Sequence, residues 1–200
     1  MRVRLFIDFW NFTLQWKDRT ADRVDWKLVP SALCRGAEKA LQQASLGSLQ
    51  LEEARVYASY GSDQNDAKLK NFLHSFLDKQ PGVRVFTTQR RWRKRPVHCR
   101  ACGTNHAFCP NPECGAPLGR AIEKGVDAQI VTDLMGLAWE NAYDVALLVS
   151  SDADFVPAVE RLQAKNFKVV NATWKGHGHE LARVCWASFL LDDIVSEVVR

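Results

Sequence analysis

The sequence predicts an α/β fold built on a doubly wound, mainly parallel sheet. Two observations carry this. Short apolar runs of strand character alternate with longer stretches whose apolar residues recur at helical spacing. One of the runs, Val145 to Val149, is unbroken and rich in β-branched and aliphatic residues, the composition of a strand buried on both faces.

Val3-Arg4-Leu5-Phe6-Ile7 reads as the first strand, ending at Asp8, with Phe9-Trp10-Asn11-Phe12 at the strand end. A helix is expected from about Trp26 to Ala44, capped by Asp25, with Pro30 near its start and Gly47 closing it. Glu53 to Tyr60 is the second strand, followed by a turn at Gly61 and Ser62. The next helix places Ala67, Leu69, Phe72, Leu73, Phe76 and Leu77 on one face and stops at Pro81-Gly82. Val83 to Phe86 is the third strand. A helix carrying Val126, Ile130, Val131, Leu134, Leu137 and Ala138 then runs to about Asn141. Val145 to Val149 is the fourth strand. It breaks off into Ser150-Ser151-Asp152-Ala153-Asp154, after which Phe155, Val156, Val159 and Leu162 mark another helix. Pro157 is tolerated there because a first helical turn does not need its N–H. Phe167 to Ala172 is the fifth strand, followed by a short helical piece and a closing segment to Arg200.

Two hundred residues suffice for one such domain, 1–200, interrupted at 90–120 by a basic segment and a small insertion. No apolar run reaches the roughly 20 residues of a membrane span, and the apolar N-terminal run is too short for a signal peptide. The expected location is the cytoplasm, with reduced thiols. Cys34 and Cys185 read as buried free thiols in apolar surroundings.

Four aspartates command the site reading. Asp8 ends the first strand, Asp152 and Asp154 follow the fourth, and Asp127 opens the helix before it. Parallel strands deliver their C-terminal ends to one edge, where ligands bind in open α/β sheets. Clustered carboxylates repel one another, and Mg²⁺ or Mn²⁺ relieves that repulsion. A dication so held suits phosphodiester hydrolysis. The plainer reading is that each aspartate is a turn former or helix cap, Asp154 and Asp127 in particular. Asp133, off the helical face of Asp127, reads as a supporting or solvated group.

Ile7-Asp8-Phe9-Trp10-Asn11 is similar to the N-terminal Asp-x-x-Asn motif of NYN domains. Lys124-Gly125-Val126-Asp127 and Val149-Ser150-Ser151-Asp152-Ala153-Asp154-Phe155 resemble the two later motifs of their LabA-like branch, related to PIN nucleases. The resemblance implies a PIN-like three-layer α/β/α sandwich and metal-dependent ribonuclease activity. It maps metal binding onto Asp8, Asp127, Asp152 and Asp154, with Asn11 as a polar support. Ser151 departs from the glycine usual in the turn, and Trp10 is bulky beside Asn11.

Cys99-x2-Cys102-x6-Cys109-x4-Cys114 is a four-thiolate set with a glycine after each pair, Gly103 and Gly115. This is the spacing of zinc knuckles, and tetrahedral Zn²⁺ would close a loop too small for a core of its own. Four thiolates leave no open position, so the zinc would be structural. Disulfides and Fe–S ligation are the rivals; His98 and His106 could substitute as ligands, but with four cysteines present they read as bystanders.

The net charge of +4 is unevenly spread. The segment Arg84 to Lys124 carries +7 and the remainder −3. Arg90-Arg91-Trp92-Arg93-Lys94-Arg95 holds five cations and one indole, and Lys124 closes the same segment. Cations neutralise phosphates and an indole stacks on an unpaired base, so single-stranded RNA is the expected partner. A solvated surface run is the plainer alternative. His177, Gly178, His179 and Glu180 read as a loop and helix start. Trp16, Trp26, Trp139, Trp174 and Trp186 read as core or interface groups. The sequence thus points to a metal-dependent ribonuclease. The alternative is a non-catalytic RNA-binding or protein-interaction module, with a protein partner or second copy left open. An Asp-x-Asp phosphatase is disfavoured because Trp10 stands where the second aspartate would be.

Overall fold

The computed structural model of the chain describes residues 1–42, 48–61, 64–98 and 103–200. Ala44, Gly47, Ser62, Cys99, Arg100 and Cys102 lie outside the described residues. In chain order the elements are β1 (Arg2–Asp8), α1 (Phe9–Lys17), α2 (Val29–Gln42), β2 (Gln50–Tyr60), α3 (Gln64–Ser75), β3 (Val83–Gln89), β4 (Arg91–Lys94), β5 (Val97–His98), β6 (Asn105–His106), β7 (Gly119–Ile122), α4 (Val126–Trp139), β8 (Val145–Val149), α5 (Val156–Gln163), β9 (Lys168–Thr173), α6 (His179–Val184), β10 (Ala187–Leu190) and α7 (Val195–Val198).

Six strands form one sheet in the order β10-β9-β8-β1-β2-β3, and every pairing in it is parallel. The chain winds outward from β1 in both directions. The β1–β8 pair is therefore the switch point of the sheet, and in open α/β sheets ligands bind beyond the strand ends at such a point. Strand alternation sorts the side chains into two cores. Val3, Leu5, Ile7, Val145, Leu147 and Val149 pack on one face with residues of α1, α2 and α7. Phe6, Ala146 and Leu148 pack on the other with Ile130 and Leu134 of α4, Val159 of α5 and Leu181 of α6. Both faces of β8 are fully buried, as its unbroken apolar run requires.

Several elements differ from expectation. Residues 9–17 are a helix, with Phe9, Phe12 and Trp16 buried along one face. The boundary is hard to see in sequence because the apolar strand runs directly into an aromatic helix, and aromatics favour helix only weakly. Asp8 makes the switch by accepting the Asn11 N–H at 3.1 Å as N-cap. Helix α2 begins at Val29, not Trp26: Asp25 instead accepts the Lys27 N–H at 3.0 Å and stabilises a preceding turn. The closing segment contributes a sixth strand, β10. Trp16, Trp26 and Trp174 are core residues, whereas Trp139 and Trp186 are each 53% exposed. Cys34 and Cys185 are free but only half-buried, and burial pushes their thiols up to about 11 and about 12.

The segment after β3 leaves the sheet. β4 and β7 pair antiparallel as a two-stranded ribbon, and β5 pairs antiparallel with β6 beyond it. None of the described helices is long and apolar enough to cross a membrane.

Candidate functional site

Alternation along β1 places Asp8 on the same side as Phe6, facing α4, and along β8 it places Ser150 on the side of Leu148. These adjacent strand ends are linked by a long contact of 3.5 Å from Ser150 Oγ to Asp8 Oδ2. The loop after β8 is held from three directions. The Ser151 N–H donates to Asn11 Oδ1 at 3.0 Å, and Ser151 Oγ lies 2.7 Å from Thr173 Oγ1. Buried Asn171 donates from Nδ2 to the carbonyls of Leu148 and Ser150, at 3.1 and 2.9 Å. Asn11 is thus a strut between α1 and this loop.

Ser151 fits the turn without distortion. Among the described residues the only non-glycine positions with positive φ are Asn141 and Asn166, so a glycine is not required at 151. The crowding falls on Gly178 instead. Its φ is +65°, and a Cβ there would stand 2.9 Å from Ser151 Cα. Gly178 opens α6, as the loop-and-helix-start reading of this stretch expects.

The aspartates occupy distinct local roles. Asp152 precedes a 3₁₀ turn, Ala153–Phe155, and accepts the Asp154 N–H at 2.9 Å. Asp152, not Asp154, is therefore the capping residue of this stretch. Asp127 lies in the first turn of α4, whose N-cap is Gly125 at φ +94°. Asp133 is not part of this group: half-buried, it accepts from Arg55 Nη1 at 2.9 Å and the Tyr57 hydroxyl at 2.8 Å. It ties α4 to β2.

The electrostatics join these groups. Burial raises Asp8 to about 6; the Asn11 N–H opposes the rise, while the charges of Asp127 and Glu123 add to it. Burial also raises Asp127, reinforced by Asp152 and then Asp154. Glu123 is raised by burial and Asp127 and lowered by Arg90. Glu123 has no motif signal of its own; only its place four residues before Asp127 could have marked it. Its carboxylate accepts from the Ser59 hydroxyl at the end of β2. Asp8, Glu123 and Asp127 thus all hold protons more tightly than free carboxylic acids, chiefly through burial and then through the charge of neighbouring acids. Among the described residues, no group of three or more His, Cys, Asp or Glu stands arranged to hold a metal ion.

Arg90 is turned into the body of the protein. Its N–H donates to the Tyr60 carbonyl at 2.7 Å, its guanidinium pairs with Asp66 at 2.6 Å, and it lies 5.1 Å from the centre of the Trp10 ring. Trp10 in turn donates from Nε1 to the Ser59 carbonyl at 2.8 Å. The bulk of Trp10 is thereby used to fix the ends of β1 and β2 together. Arg90 and Glu123 anchor the two legs of the ribbon beside the acids. Arg91, Trp92, Arg93, Lys94 and Arg95 are exposed, as is Lys124.

Cys109 and Cys114 are free thiols. Gly103 and Gly115, each after the second cysteine of a pair, have φ of +71° and +54°. Cys114 N–H donates to the Asn111 carbonyl at 3.0 Å, a turn spanning the second pair. His98 Nδ1 lies 3.0 Å from Asn105 Oδ1, and His106 is exposed.

Comparison with known proteins agrees with this architecture. Among solved structures, a protein of unknown function from Vibrio parahaemolyticus superposes with a TM-score of 0.57 at 18% identity, covering 100% of this chain and 96% of its own. That likeness is one of fold. No curated protein matches the chain. The family model described as the NYN domain matches residues 2–191, nearly the full length, and the chain belongs to the NYN domain family, with its PIN-like nuclease fold.

Proposed function

We propose that the protein is a metal-dependent ribonuclease whose centre is Asp8, Asp127, Asp152 and Asp154. The observation that carries this is the placement of Asp8 and the Asp152 loop at adjacent strand ends, with Asp127 coupled electrostatically to Asp8, Asp152 and Asp154, on a fold whose family is one of PIN-like nucleases. Their chemistry fits Mg²⁺ or Mn²⁺, which binds through one or two carboxylates and keeps several waters, so a full protein cage is not needed. Bound there, the ion would stabilise charge on a phosphate and supply an ionised water near neutral pH. The chain's own part is to position. Asn11 and Asn171 fix the loop that carries Asp152, and the capped Asp154 N–H takes Asp152 Oδ1, leaving Oδ2 for a ligand. Hydrolysis adds water at phosphorus and expels the 3′-oxygen, giving a 5′-phosphate and a 3′-hydroxyl. The exposed cations of the ribbon, with Lys124, would hold single-stranded RNA beside the acids.

The reading extends to a structural Zn²⁺ on Cys99, Cys102, Cys109 and Cys114. Support comes from the left-handed glycines Gly103 and Gly115 that follow the two cysteine pairs, the residue type and conformation that zinc knuckles use. Free thiols at Cys34, Cys109, Cys114 and Cys185 suit a reducing compartment such as the cytoplasm.

The test is incubation of labelled RNA with protein and Mn²⁺, beside Asp152→Asn. Cleavage that requires the dication and falls at least about 100-fold in the variant is expected, as for loss of a main electrostatic contributor. Equal cleavage by both proteins contradicts the proposal. RNA binding without any metal-dependent product would make the chain a binding module instead.

A further inference from the structure

The six-residue basic run does not act as a block, because a strand presents alternate residues to opposite sides. In the β4–β7 ribbon, Arg91 pairs with Ile122, Arg93 with Arg120, Trp92 with Ala121 and Lys94 with Gly119. Directly opposed residues share a face, so Arg91, Arg93, Ile122 and Arg120 stand on one side and Trp92, Lys94 and Gly119 on the other. A groove of about 260 Å³ runs along the first side, lined by Gln89, Arg91, Arg93, Ile122 and Lys124. On the second side the Trp92 indole, itself 51% exposed, lies over Gly119, where a Cβ would overlap the ring. Arg90 belongs to neither side, being held by Asp66 and Trp10.

The first side is electrostatically incomplete. Arg93 and Arg120 are like charges placed directly across the ribbon, a destabilising arrangement. Among the described residues, Arg91, Arg93, Arg120 and Lys124 form no ion pair with any acid. The acid nearest in sequence, Glu123, is turned to Ser59. Lys124, which lines the groove, adjoins Glu123, whose carboxylate is coupled electrostatically to Asp127 of the acidic centre.

We propose that this groove is the phosphate track of the protein. Arg91, Arg93 and Lys124 would bind consecutive phosphodiester groups of a single RNA strand and feed it to the acids, while Trp92, on the opposite face, stacks on no base of that strand. This assignment rests on the ribonuclease reading and narrows it: the substrate is read through its backbone, so the track carries no base preference.

The test is the salt dependence of affinity for a fluorescent oligouridylate, measured in an Asp152→Asn background so that the probe stays intact. Each phosphate contact on a single strand contributes about 0.7 to the slope of log K against log salt. The double variant Arg91→Ala/Arg93→Ala is expected to lower the slope by about 1.4, and Arg91→Lys/Arg93→Lys to restore it, which separates charge from folding. Trp92→Ala is expected to leave the slope and the affinity within twofold, and an oligoadenylate to bind within threefold of the oligouridylate. An unchanged slope in the arginine-to-alanine pair overturns the assignment, as does a loss for Trp92→Ala as large as theirs. Absence of any binding by the Asp152→Asn parent, with no cleavage by the unsubstituted protein, overturns the ribonuclease reading itself.

Discussion

Asp8 does three jobs with one side chain. It ends β1, caps α1, and faces Asp127 and Glu123 electrostatically. The capping interaction favours its ionised form, yet burial and its acidic neighbours outweigh it and raise the carboxyl to about 6. Since its unfolded value is 3.8, the native state binds the proton more tightly. Stability from this group is therefore full below about pH 4 and lost as pH rises through 6, leaving a cost of about 3 kcal/mol at pH 7. Asp8→Asn removes that cost while keeping an oxygen for the Asn11 N–H. Without added dication, the variant is expected to melt roughly 5–10 °C above the parent at pH 7.5 and within about 2 °C of it at pH 4. Added Mg²⁺ should raise the parent's melting temperature more than the variant's, because an ion that binds only the native state stabilises it. Melting curves at both pH values decide this; a variant less stable at pH 7.5 would contradict it. The motif spacing made Asp8 and Asn11 visible. Glu123 stayed hidden because its partner, Ser59, lies 64 residues away in sequence.

At the level of elements, runs with a single period were legible and junctions were not. β8 announces itself by five apolar residues in a row, and α4 by Val126, Ile130, Leu134 and Ala138 at helical spacing. Helix α1 was obscured because Asp8 is both a strand end and a helix cap, and β10 because its alternating burial runs over only four residues. The basic run was visible as charge, but its division into two faces depends on the pairing with β7, which no local pattern encodes. Beyond the ribbon, β5 pairs with β6, and the Phe108–Pro117 bridge brackets Cys109 and Cys114. The proposed Zn²⁺ would hold the shape of a module this small. Cys109→Ser is accordingly expected to abolish bound zinc, measured by elemental analysis, while the six-stranded sheet melts within a few degrees of the parent. Retention of stoichiometric zinc would contradict four-thiolate ligation.

For the molecule as a whole, sheet order turns scattered residues into neighbours. Asp8 and Ser150 are 142 positions apart, but β1 and β8 are adjacent, so their ends meet. The same order explains why the inserted ribbon stands beside the acids: it leaves from β3 at one edge and returns through Glu123 to α4, with Arg90 and Glu123 pinned to the end of β2. Fold and acid placement belong together, since a parallel sheet with a central switch point delivers both strand ends to one crevice. The most direct measurement is anomalous X-ray scattering from crystals soaked in Mn²⁺ at pH 7.5. A peak is expected within carboxylate-ligand distance of Asp8, Asp127, Asp152 or Asp154. Saturating Mn²⁺ that leaves this crevice empty, with Asp8 and Asp152 pointing away from each other, would contradict it.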